Sequence, residues 1–170
     1  MKKLKEILND NRTINILFIF TSVVYALVLC RGLLFKYISP FEIFSPERFE
    51  YIGYNLIPFN GRGFDYRLDL IINTFLFIPF GFLLSMKSKK NLKSFLLLLI
   101  PFASSLLFES LQYILRLGAA DVTDIIMNTA GGFIGFMLYF LIYKIFSDKP
   151  DKLFTYAMSF VGVVALILLY

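Results

Sequence analysis

Apolar stretches of about 20 residues, set between short charged runs, constrain this chain more than any other feature of it. A hydrocarbon core about 30 Å thick takes roughly 20 helical residues to cross. Five segments are long and apolar enough: 14–35, 68–86, 93–115, 122–145 and 153–170. They predict an all-α fold, a polytopic membrane bundle forming a single domain over 1–170. Pro79 and Pro101 fall inside the second and third segments. Kinks are expected there, since neighbouring helices in a membrane re-satisfy the freed backbone groups.

Composition agrees with that reading. The chain is 58% hydrophobic and 17% charged, with a mean hydropathy of +0.74, against roughly 45–50% and about 25% in soluble domains. Its net charge of +5 does not point to nucleic acid, because the basic residues flank apolar blocks and build no basic face. The single cysteine, Cys30, excludes an intramolecular disulfide or a thiolate cluster. The absence of histidine removes imidazole zinc sites, serine–histidine triads and histidine-dependent phosphatase chemistry. Any catalysis would run on carboxylates, amides, hydroxyls, Arg and Lys, and no metal or cofactor is expected. Lys2, Lys3 and Lys5 before the first block resemble a signal sequence. The block is longer than a signal core, however, and lacks a small-residue cleavage site, so it is expected to remain as a helix.

Lys and Arg set the expected orientation. With the N-terminus inside, eleven basic residues fall on the cytoplasmic side, including Lys87, Lys89, Lys90, Lys93, Lys144, Lys149 and Lys152. The outer side receives six: Arg31, Lys36, Arg48, Arg62, Arg67 and Arg116. The inner residues are also packed into shorter stretches, which favours an N-in, C-out arrangement. Without tryptophan, Tyr37, Tyr66, Tyr113, Tyr139 and Tyr143 are the expected interface anchors. Residues 36–67 make a long outer connection carrying Phe41, Phe44, Phe49, Tyr51, Ile52, Tyr54 and Phe59. So many aromatics suggest a loop folded onto the helices or lying at the headgroups.

Polar residues at membrane depth form three stripes. Asp69 and Asn73 lie four apart, and Ser105, Glu109, Gln112 and Arg116 follow at four, three and four. Asp121, Asp124 and Asn128 follow at three and four, so each set shares one helix face. The predicted topology puts all three in the outer half of the bilayer, where such groups face inward and partner one another. We therefore expect a polar ligand-binding pocket open to the outside, with Arg116 as counter-charge to Glu109. Structural roles compete with this reading. Asp121 stands where an N-cap belongs, Asn73 suits an interhelical hydrogen bond, and Gly131-x-x-x-Gly135 suits close helix packing.

These residues also carry a family likeness. Asn73-x-x-x-Phe77-x-Pro79-x-Gly81 resembles a block of the VanZ family, and Glu109-Ser-Leu-Gln112 resembles its E-x-x-Q. Asp121-x-x-Asp124-x-x-x-Asn128-Thr129-x-Gly131 is similar to its D-x-x-D-x-x-x-N-T-x-G, and Asn55-Leu-Ile-Pro58-Phe59 to its N-L-x-P-F. The likeness covers about 50–146, in the right order. Leu117-Gly118-Ala119-Ala120 stands where many relatives carry an Arg, a feature nearer the teicoplanin-resistance members. The resemblance implies a bacterial cytoplasmic-membrane protein linked to reduced susceptibility to teicoplanin and other lipoglycopeptides. It implies no catalytic residues.

Three functions follow as expectations. The leading one is binding of the lipid-bearing drug, or of a lipid-linked cell-envelope precursor, at the outer leaflet. The second is an enzyme acting on a polyprenyl phosphate, with Glu109, Asp121 and Asp124 holding Mg²⁺. The third, a proton-coupled transporter, is disfavoured by the absence of a repeat and by acids confined to one leaflet. A binding protein is expected ahead of an enzyme.

Overall fold

A computed structural model describes residues 10–36, 39–44, 53–88, 94–146, 151–152 and 154–159. In order, the elements are α1 (Asn11–Leu34), a 3-10 turn (Pro40–Phe44), β1 (Gly53–Asn55), α2 (Phe64–Ser88), α3 (Ser94–Ile114), β2 (Ala119–Asp121) and α4 (Val122–Phe146). Among the described residues three helices are long and apolar enough to cross a membrane, over Arg12–Leu34, Phe64–Met86 and Val122–Ile145; Leu98–Ile114 is a shorter apolar helix. α2 and α3 continue past Pro79 and Pro101. Most of the expected fifth segment, 153–170, lies outside the described residues, as do Tyr37, Phe49, Tyr51 and Ile52.

The distribution of side chains is that of a chain solvated by lipid. Among the described residues eleven polar side chains are buried, more than the nine large hydrophobic ones. Ile16, Ile19, Val23 and Leu27 meanwhile stand exposed along α1, and Phe75, Leu107 and Phe140 along the other helices. Water would not tolerate that inversion, whereas hydrocarbon favours it.

The chain divides into two compact units. The first is Met1–Val28 with Leu141–Tyr170. Within it the hydroxyls of Thr21 and Ser159 share a hydrogen bond of 2.6 Å, buried 138 residues apart in sequence. At its start Asp10 caps α1, accepting from the Thr13 N–H at 3.1 Å.

The second unit, Leu29–Phe140, holds the packed helices. α2 and α4 run parallel and almost touch. A Cβ on Gly131 would strike the Thr74 carbonyl, one on Gly135 the Ile78 carbonyl, and one on Gly81 the Gly132 carbonyl. The small-residue spacing thus brings backbone against backbone. α3 runs antiparallel to both, with the Pro101 ring seated against Gly132. Phe82 and Tyr139 close the far part of the α2–α4 seam, their rings edge-on at 5.2 Å.

Two short strands qualify the all-helical expectation. β1, from the long loop, pairs in parallel with β2, placing Gly53 opposite Ala119 and Asn55 opposite Asp121. The loop is therefore attached where α3 ends and α4 begins. The turn after β1 is held as well: Phe59, at φ 57°, donates its N–H to Thr123 Oγ1 at 3.1 Å.

Candidate functional site

Because α2 and α4 are parallel and α3 opposes them, the start of α2, the end of α3 and the start of α4 meet at one end. Asp69, Glu109 and Asp124 thereby come together, as the helix spacings require. The cation among them is Lys36, from the loop after α1. Its Nζ lies 3.3 Å from Asp69 Oδ2 and 3.2 Å from Asp124 Oδ2. The Lys36 and Asp124 side chains are only 14% and 11% exposed, against 37% for Asp69. This bridge is therefore far less screened than a surface ion pair.

Arg116 was expected to supply that counter-charge, and its position differs. α3 ends in a Schellman arrangement, with the Leu117 N–H on the Gln112 carbonyl at 2.8 Å and the Arg116 N–H on the Tyr113 carbonyl at 3.2 Å. Arg116 occupies the left-handed position of that cap, at φ 55°, and is exposed. Leu117 tucks in behind it, 1% exposed. Glu109, two turns below on the same stripe, instead accepts the Asp121 N–H on Oε2 at 2.9 Å.

Asp121 is the joint of this end. Its Oδ1 accepts from the Thr123 N–H at 2.7 Å, capping α4, and its Oδ2 accepts from Asn55 Nδ2 at 3.0 Å. Both oxygens are thus engaged, while its N–H goes to Glu109. One residue ties the loop, α3 and α4 into a single corner. Gln112 braces the structure in a comparable way. Its Nε2 donates to the Leu33 carbonyl at 2.6 Å, fastening the open C-terminal end of α1.

One turn beneath the acids lies a layer of amides. Asn128 Nδ2 donates to Ser105 Oγ at 2.9 Å, bridging α4 and α3. Its Oδ1 has no hydrogen-bond partner among the described residues, although Asn128 is fully buried. Asn73, 1% exposed, stands against the Asp124 carboxylate from the facing helix.

All eight residues singled out by spacing and motif thus lie at this end, though not in one role. Asp69, Asp124, Glu109, Asn73 and Asn128 surround the charged cluster and the layer below it. Asp121 and Gln112 hold elements together, and Arg116 shapes a helix end. Sequence reasoning missed Lys36 and underrated Asn55. Only the family block around Asn55 carried a signal, and Lys36 carried none. Among the described residues no group of three or more His, Cys, Asp or Glu is arranged to hold a metal.

Long helices with hydrocarbon outside and charged and amide groups inside define an integral membrane protein. The chain belongs to the VanZ/LLP1 family, whose model matches residues 20–143. Protein VanZ of Enterococcus faecium is 37% identical over 155 residues, covering 84% of this chain and 91% of that protein. No solved structure matches.

Proposed function

We propose that this protein sits in the bacterial cytoplasmic membrane as a multi-pass, N-in bundle and lowers susceptibility to teicoplanin and related lipoglycopeptides. It does so by holding the drug, or a lipid-linked wall precursor, at the polar end of α2, α3 and α4. The relative's name supports the first half of this reading, and the density of Lys and Arg supports the orientation. The observation that carries the second half is the Lys36 bridge between Asp69 and Asp124, with the buried amides of Asn73 and Asn128 directly below. Polar groups of this kind are costly at membrane depth and are functional when present. Drugs of this class act outside the cell, where the orientation puts the cluster.

Glu109→Gln and Asp124→Asn test the reading. At wild-type membrane abundance each variant should lose most of the protection against teicoplanin in otherwise isogenic cells. Full protection from both would rule the cluster out.

A further inference from the structure

We propose that the segment following β1 is a membrane anchor, whose apolar side chains enter the leaflet around this end of the helices while the arginines beside them meet lipid phosphate. It stands apart from the question of what the polar cluster binds. Leu56, Ile57, Phe59 and Phe64 are each between 54% and 73% exposed. Their depth is set by the fold. The membrane-length stretches of α2 and α4 begin at Phe64 and Val122. β1 lies beside β2, which runs directly into α4, and the Phe59 N–H is bonded to Thr123 in the first turn of α4. Residues 56–59 are therefore held level with the point where α4 enters hydrocarbon, not out in bulk water.

Backbone, surface and charge all point to lipid as what covers this face. The Ile57 N–H donates to Asn55 Oδ1 at 3.2 Å, Pro58 has no N–H, and the Phe59 N–H goes to Thr123 Oγ1 at 3.1 Å. Across 57–59 no donor is left open, which suits an apolar medium and offers nothing to a strand added by another protein. The patch is also continuous with the lipid-facing side of α3. Tyr54 meets Tyr113 edge-on at 6.5 Å, and Ile114 beside it is exposed, as are Leu106 and Leu107 further along the helix. Among the exposed charges of 54–67, Arg62 and Arg67 outnumber Asp65, and Arg116 is exposed at the end of α3. Arginines next to aliphatic and aromatic side chains at a membrane edge form an interfacial anchor. The apolar part sinks about 5–10 Å, and the guanidiniums stay with the phosphates.

The chain contains no tryptophan, so a single introduced one reports only its own surroundings. The full chain carrying Ile57→Trp is placed in nanodiscs of phosphatidylcholine brominated either near the ester end of its acyl chains or near their tips. Shallow bromines should quench the indole at least about twofold more than deep ones, as an interfacial depth requires. Iodide in the water should quench it at most about half as well as it quenches free N-acetyltryptophanamide. Phe75→Trp, at an exposed position midway along α2, should show the opposite order of depths. At equal mole fraction, shallow-brominated phosphatidylglycerol should quench Ile57→Trp about twofold more than the phosphatidylcholine does. Adding Arg62→Gln/Arg67→Gln should abolish that difference. Full access to iodide without bromine quenching puts the segment in water, and shielding from both seats it on protein, such as a second copy of the chain. Either result overturns the proposal, and equal quenching by the two lipids overturns the role of the arginines. Leu56→Trp, at the neighbouring exposed position, decides by the same readings should Ile57→Trp fail to fold.

Discussion

Lys36 governs the electrostatics of the cluster although nothing around it in sequence announces that. Its partners lie far along the chain, Asp124 being 88 residues away, and only the fold of the loop brings them together. Removing one member of a buried pair leaves an uncompensated charge and costs about 3–5 kcal/mol. Part-exposed Asp69 relies on that pairing less than Asp124 does. Lys36→Met should therefore lower the unfolding midpoint in nanodiscs, and adding Asp124→Asn should recover about 1–3 kcal/mol of the loss. Strictly additive effects would mean the pair is not coupled. Arg116 behaves in the opposite way. An L-residue in the left-handed region costs about 1–2 kcal/mol relative to glycine, and Arg116 occupies the helix-cap position where glycine is most common. Arg116→Gly should relieve that backbone strain, offset by whatever the side chain contributes, and keep full protection. Reduced protection in a more stable variant would instead give the guanidinium a ligand-binding role.

At the scale of elements, the seam between α2 and α4 is the least forgiving contact. A methyl group at Gly135 points into the Ile78 carbonyl, a backbone atom that cannot step aside. Gly135→Ala should destabilise the protein by about 1–3 kcal/mol, as overpacking does. Gly32→Ala meets only the tip of the Leu76 side chain and should stay within about 0.5 kcal/mol, read by the same unfolding measurement. The helices themselves were legible, because lipid demands a length and an apolarity that show directly in sequence. The expected 14–35, 68–86, 93–115 and 122–145 correspond to α1 through α4, with α2 starting earlier, at Phe64. Its first turn, carrying Asp65 and Arg67, is too polar for a hydropathy reading to include. The strands could not be read. Three residues such as Gly53–Asn55 show no usable alternation, and their pairing depends on a partner far along the chain. The polar stripes were legible for the same reason as the helices, since their spacing fixes a face. Which members bind, cap or brace was not, because that depends on atoms such as the Asp121 N–H and the Leu33 carbonyl.

For the whole molecule, the side of the membrane on which the cluster lies decides its chemistry. In a Cys30→Ser background, Asn60→Cys should react with an impermeant maleimide on intact cells, and Lys89→Cys only after permeabilisation. The reverse pattern would turn the cluster toward the cytoplasm. The β1–β2 ladder has a consequence in time as well. Its strands are 66 residues apart, with α2 and α3 between them. At about 5–20 residues per second of synthesis, the second strand follows the first by roughly 3–13 seconds. Until then Asn55 waits for Asp121. The ladder therefore records delivery of the third helix: a nascent chain that has not yet passed α3 cannot assemble the corner on which the charged residues converge.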